Sequence, residues 1–105
     1  MNKCNFLGRF VENPEVEPYD NTHCTRFFLE VEEHRKDRDG SRKKRKDILE
    51  FEAWDTAATA ICKQASKNDF IVMECVARKY GREDVIFRIT SFRIFKNQSE
   101  LNNDN

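Results

Sequence analysis

The sequence predicts an all-β fold: a five-stranded barrel with one α-helix between strands three and four. Three observations carry that prediction. Five segments alternate apolar and polar residues with a period of two, the pattern of strands with one buried face. One segment, between the third and fourth of them, switches to helical spacing. Gly and Pro are scarce, three and two in 105 residues, so the chain should be mostly regular structure joined by short turns.

Residues 3–11, KCNFLGRFV, put Cys4, Phe6, Gly8 and Phe10 on one face and Lys3, Asn5, Leu7, Arg9 and Val11 on the other. Gly8 marks a bulge or a close backbone approach. ENPEVEPYDNT holds both prolines and reads as a loop. In 24–36, CTRFFLEVEEHRK, Phe27, Leu29 and Val31 oppose Phe28, Glu30 and Glu32. The basic run RKDRDGSRKKRKD, residues 35–47, follows, with Asp39-Gly40 as a turn signal. It is expected to be a loop joining the second and third strands. In 46–54, KDILEFEAW, Leu49, Phe51 and Ala53 form one face; Ile48, Glu50, Glu52 and Trp54 form the other.

In 55–67, DTAATAICKQASK, Ala57, Ala58, Ile61, Cys62 and Ala65 recur at helical spacing. Asp55 or Thr56 is the expected N-cap, Lys63 and Lys67 suit the C-terminal dipole, and Asn68 suits a left-handed stop. The helix is narrow and small-faced, fit to plug one end of the barrel. Strands over 70–80 and 85–95 follow, joined by the turn at GREDV. This order is that of an OB-fold, assigned to residues 1–96. Residues 97–105 are expected to be a short polar disordered tail.

The chain carries 19 basic and 19 acidic side chains, so it is no simple polycation. Phosphate affinity depends instead on where the cations cluster. No run approaches the roughly 18–20 apolar residues of a membrane span, and MNKCNFLGRF has no signal-peptide core. A cytoplasmic, non-membrane protein is expected. Cys4, Cys24, Cys62 and Cys75 form no C-x-x-C pair and read as small buried hydrophobes rather than metal ligands. No cofactor or metal is expected. There is no Gly-rich phosphate loop, and His23 and His34 are isolated, so an enzyme is not expected.

The sequence resembles the bacterial-type single-stranded DNA-binding proteins. MNK, LGRF and NPEV look like that family's start. TRFFLEVEEHRKDRDG is similar to its second strand and basic turn, and KDILEFEAWDTAATAI to its third strand and helix. KND stands where the family has a Lys-Gly-Ser-like stop. The resemblance spans about residues 1–96. It implies an OB-fold that binds single-stranded DNA with little sequence preference, no cofactor, and assembly as a homodimer or homotetramer, with roles in DNA replication, recombination or repair.

Such binding needs a basic groove and aromatic platforms. Trp54 matches a family position that stacks on bases; the alternative is a Trp half-buried beneath the helix. Arg35 stands where the family has an aromatic, and a guanidinium can also lie flat on a base. His34 beside it is a further candidate. Tyr80, flanked by Arg78, Lys79 and Arg82, sits near the tip of the last hairpin. Lys43, Lys44, Arg45 and Lys46 would contact phosphates from the loop, or simply be solvated. Lys3, Arg9, Lys79, Arg82 and Arg88 complete the expected DNA-binding set. Phe28, exposed by alternation, suits a subunit interface or a stacking platform.

The pattern also departs from the family. Ile48 replaces a second aromatic. Glu50 and Glu52 share the face of Trp54, where they repel phosphate unless neutralised; Arg88 and Lys79 are the candidate neutralisers. The family's acidic C-terminal tip for recruiting partner proteins is not expected in a chain ending SELNNDN. Two other readings compete. One is a primosomal or recombination accessory OB-fold protein acting mainly through protein–protein contacts. The other is an OB-fold used for protein interaction alone.

Overall fold

A computed structural model describes residues 1–97; the expected tail from residue 98 onward lies outside the described residues. The fold is mostly β, with six strands and one helix: β1 (Cys4–Phe10), β2 (Glu17–Tyr19), β3 (Thr22–Lys36), β4 (Arg42–Trp54), α1 (Asp55–Gln64), β5 (Phe70–Tyr80) and β6 (Asp84–Phe95). The helix falls between the strands expected on either side of it. The sixth strand is the correction to the expected five. β2 lies within the proline-bearing loop and pairs Glu17–Tyr19 with Thr22–Cys24. Three exposed residues including Pro18 carry no alternation to read, and proline is tolerated there because the strand is an edge.

The remaining five strands close on themselves. The sheet order is β1-β5-β6-β4-β3-β2, and β1 also pairs with β3. The β4–β6 contact is parallel; the other ladders are antiparallel. Gly8 is where closure happens, because it pairs with Val31 of β3 and with Ile71 of β5. A Cβ there would lie 2.9 Å from Leu29 Cβ, so the close approach requires glycine.

Alternation places the core as expected. Phe10, Phe27, Leu29, Phe51, Ile71, Met73 and Cys75 are buried inside the ring. Phe51 is central, edge-on to Phe6 at 5.3 Å and 5.5 Å from Phe87. Truncating such a buried ring to Ala typically costs about 3–5 kcal/mol. Ala58 and Ile61 of α1 join this core, and the helix packs on β3, β4 and β6. Of the cysteines, Cys24 and Cys75 are buried and Cys4 and Cys62 half-buried. Burial, with the neighbouring Cys4 and Glu74, pushes the Cys75 thiol up to about 12.

The helix termini differ from expectation. The N-cap is Trp54, with no side-chain cap bond, because β4 runs straight into the helix. Asp55 takes φ +55° and accepts a hydrogen bond from the Thr22 hydroxyl. The helix stops at Gln64, so Lys67 lies beyond it while Lys63 is in its last turn. Asn68 does take the left-handed conformation, at φ +77°, but in the turn into β5. Asp69 fixes that turn. It accepts from the Ser66 and Asn97 backbone amides and from Lys96. Burial would raise its carboxyl, but those bonds hold it below the usual range.

The basic run is also not the expected loop. β3 and β4 continue as a two-stranded arm through Lys36 and Arg42, leaving only Asp37–Ser41 as the turn. Asp39 caps that turn by accepting from the Ser41 amide and hydroxyl.

Candidate nucleic-acid interface

The strand register decides which side chains share the outer face. Across β3 and β4, Cys24 opposes Trp54, Arg26 opposes Glu52, Phe28 opposes Glu50, and Glu30 opposes Ile48. On the far side of β4, Glu52 stands beside Arg88 of β6. Arg88 pairs with Val76 of β5, and Arg78 and Tyr80 follow along that strand. Trp54, Tyr80 and Arg88, expected together, are therefore on one surface.

Glu52 is the centre of that surface and is fully buried. This overturns its reading as an exposed, repulsive carboxylate. Its neutralisers are not Arg88 or Lys79. Arg78 donates to both carboxylate oxygens, at 2.7 and 2.9 Å, and Arg26 Nε lies 4.0 Å away. The Trp54 side chain, close to the same carboxylate, also favours its ionised form. Burial alone would raise the Glu52 carboxyl; Arg78 first, then Trp54 and Arg26, outweigh it and hold it below the usual carboxylate range. The Arg78 guanidinium is raised in return, chiefly by its hydrogen bonds to Glu52.

Two aromatic pairs flank this centre. Arg26 Cζ sits 5.0 Å from the Tyr80 ring centroid, and its Nη1 donates to the Tyr80 hydroxyl at 3.1 Å. Trp54 is half-buried and meets Tyr19 of β2 edge-on at 5.5 Å. The Trp54 ring is thus flanked by β2, an element the sequence did not disclose. Arg88, Lys79 and Arg82 are exposed and have no acidic partner among the described residues. Phe28 and Ile48 extend the face as exposed apolar side chains.

The other expected residues are placed elsewhere, and each lies against a carboxylate. On the outer face of the arm, Lys44 lies 3.2 Å from Glu32, His34 3.4 Å from Glu32, and Lys46 3.4 Å from Glu30. On its opposite face, Lys43 and Arg35 share Asp37 at 3.1 and 3.5 Å, and Arg45 meets Asp47 at 3.3 Å. Arg9 of β1 reaches Glu30 at 2.7 Å and also donates to Asn68, while Lys3 lies 3.3 Å from Glu74. The Arg9 hydrogen bond, outweighing desolvation and joined by Lys46, holds the Glu30 carboxyl low. The expected site is thereby split. Trp54, Tyr80 and Arg88 sit on the face of Glu52, while Lys79 falls on the opposite side of β5 and Arg82 in the β5–β6 turn. Lys3, Arg9, Arg35, Lys43, Lys44, Arg45 and Lys46 belong to ion pairs, and His34 lies against Glu32. Arg26 and Tyr19 were missed. Counting back from Asp39-Gly40 as a two-residue turn would have opposed Arg26 to Ala53; the observed Asp37–Ser41 turn shifts the register by one and opposes it to Glu52.

No protein-family model matches the chain, and no curated protein matches it. Solved structures do. The single-stranded DNA-binding protein of Thermus aquaticus, as a deletion mutant, superposes with a TM-score of 0.80 at 13% identity, over 94% of this chain and 52% of that one. The protein priB of Ralstonia solanacearum gives 0.72 at 8% identity, over 89% and 97%. The small single-stranded DNA-binding protein of Streptomyces coelicolor gives 0.71 at 15% identity, over 95% and 97%. At these identities the likeness is one of architecture: this chain has the fold of the bacterial single-stranded DNA-binding proteins.

Proposed function

We propose that this protein is an OB-fold barrel that binds single-stranded DNA on the outer face around Trp54, with little sequence preference, in DNA replication, recombination or repair. One observation carries the reading: Trp54 and Tyr80 share a surface with the exposed cation Arg88, and the exposed Arg82 stands in the adjoining β5–β6 turn. Aromatic rings take the bases and the cations track phosphates, which needs no base-specific hydrogen bond. The fold shared with the Thermus and Streptomyces proteins supports it.

Assembly as a homodimer or homotetramer is part of the proposal. The edge of β1 facing away from β5 pairs only over Gly8–Phe10 among the described residues. A cleft of about 720 Å³ lies between that open edge and Glu30–His34. Leu7, Val72, Phe70 and Phe95 stand exposed on β1, β5 and β6. An open strand edge beside apolar side chains is a natural pairing surface.

The test titrates oligo-thymidine while following the fluorescence of Trp54, at low and at physiological salt. Quenching that weakens with salt is expected, and Trp54→Ala should weaken binding by about 1–3 kcal/mol. Sedimentation of the free protein reads the assembly. Absence of binding to labelled oligonucleotide at low salt would transfer the reading to an accessory OB-fold protein working through protein contacts, which the self-paired arm and the exposed Phe28 favour.

A further inference from the structure

The outer face holds one fully buried charged side chain, Glu52, and both Trp54 and Tyr80 connect to it, Tyr80 through Arg26. Its carboxylate takes two hydrogen bonds from Arg78 and an ion pair from Arg26, and the nearby Trp54 side chain also favours its charge. Arg26 in turn spans from the carboxylate to Tyr80, lying over the ring and donating to its hydroxyl. The guanidinium of Arg26 is thereby oriented at two of its edges, while about a third of its side chain stays exposed. A planar cation fixed against an aromatic ring is a platform on which an unpaired base can stack.

We propose that Glu52 is the positioning residue of this face, and that the Arg26–Tyr80 pair it orients is a stacking site for an unpaired nucleobase. This inference rests on the single-stranded DNA binding proposed above. Its chemistry differs from phosphate contact. An ammonium at position 26 would keep the charge but lose the plane. A neutral amide at position 52 would make the face more positive, yet would release Arg26, Arg78 and Trp54 from their common anchor.

Glu52→Gln gives predictions of opposite sign for the two mechanisms, and Arg26→Lys separates the loss of the plane from the loss of charge. Affinity is measured for oligo-thymidine and for an abasic oligonucleotide of equal length, with circular dichroism confirming that each variant is folded. Arg26→Lys is expected to weaken oligo-thymidine binding by about tenfold and to leave abasic binding and the salt slope unchanged. Glu52→Gln is expected to weaken oligo-thymidine binding as well, although it removes a negative charge. Tighter binding by folded Glu52→Gln, or unchanged oligo-thymidine binding by Arg26→Lys, would overturn the inference while leaving DNA binding intact. Equal loss on both oligonucleotides would make Arg26 a phosphate contact and overturn it too. Should Glu52→Gln not fold, Arg26→Lys decides, since its side chain is part-exposed. A wild-type protein that binds neither oligonucleotide would overturn the binding proposal and this inference together.

Discussion

The Glu52 cluster and the β3–β4 arm use the same side-chain types to opposite ends. Around Glu52, one buried carboxylate is shared by two arginines, leaving one positive charge in excess. Along the arm, Arg35, Lys43, Lys44, Arg45 and Lys46 each face a carboxylate of the arm itself, while Lys36, Arg38 and Arg42 near its tip have no acidic partner among the described residues. Burial is what separates them. A carboxylate out of water must be satisfied in a fixed geometry, and its partners become part of the architecture. An exposed pair in water contributes little and can exchange partners. Most of the densest run of positive charge in the sequence is therefore paired within the arm, and the face bearing an acid at its centre is the one held in a fixed geometry.

The comparison breaks most sharply at Arg78. Arg78→Ala leaves the buried Glu52 carboxylate without its bidentate partner. Discounting for the part-exposed guanidinium, urea denaturation should show a loss of about 2–3 kcal/mol. A loss no larger than that of an arm substitution would erase the distinction. Acid separates the regions next. The folded Glu52 carboxyl titrates below its unfolded value. Its stabilisation is therefore complete above about pH 4.3 and is lost as the pH falls through the lowered folded value. Wild-type stability should decline on acidification more steeply than that of Glu52→Gln; parallel curves would show that Glu52 is not held ionised by its partners.

On the arm, Lys44→Ala should change stability by no more than about 0.5 kcal/mol in the same denaturation assay. The smallest effect concerns salt. Four cations each releasing a counterion from single-stranded DNA would account for about 2.8 units of the log–log salt slope. Because Lys43, Lys44, Arg45 and Lys46 each already face a carboxylate, neutralising all four should remove less than half of that. Loss of the full amount would mean the acids surrender their partners to DNA.

Strand faces were legible wherever one face is buried, because alternation then writes burial into the sequence. Phe27, Leu29, Phe51 and Ile71 are core for that reason. The same rule misplaced Glu52. Period two assigns it to the outer face, which is correct, but its burial comes from Arg78, a residue of β5 distant in sequence. The arm was illegible for a related reason: Arg42–Lys46 are polar on both faces, so a strand there carries no alternation. Trp54, Tyr80 and Arg88 were found as a group because fold and register bring them to one face. Arg26 escaped because its role depends on what stands opposite.

The doubly paired Gly8 bears on how the chain reaches this state. β1 emerges first in synthesis, yet its longer ladder is with β5, near the end of the described chain. The β3–β4 hairpin can form locally and early; closure of the ring cannot. Until β5 arrives, the strand carrying Gly8 has a largely unsatisfied backbone beside the apolar Phe6 and Leu7, the kind of edge that recruits other chains. That wait for β5 is a window of exposure that the finished ring closes along the β5-facing edge of β1, leaving open only the other edge beyond Gly8–Phe10.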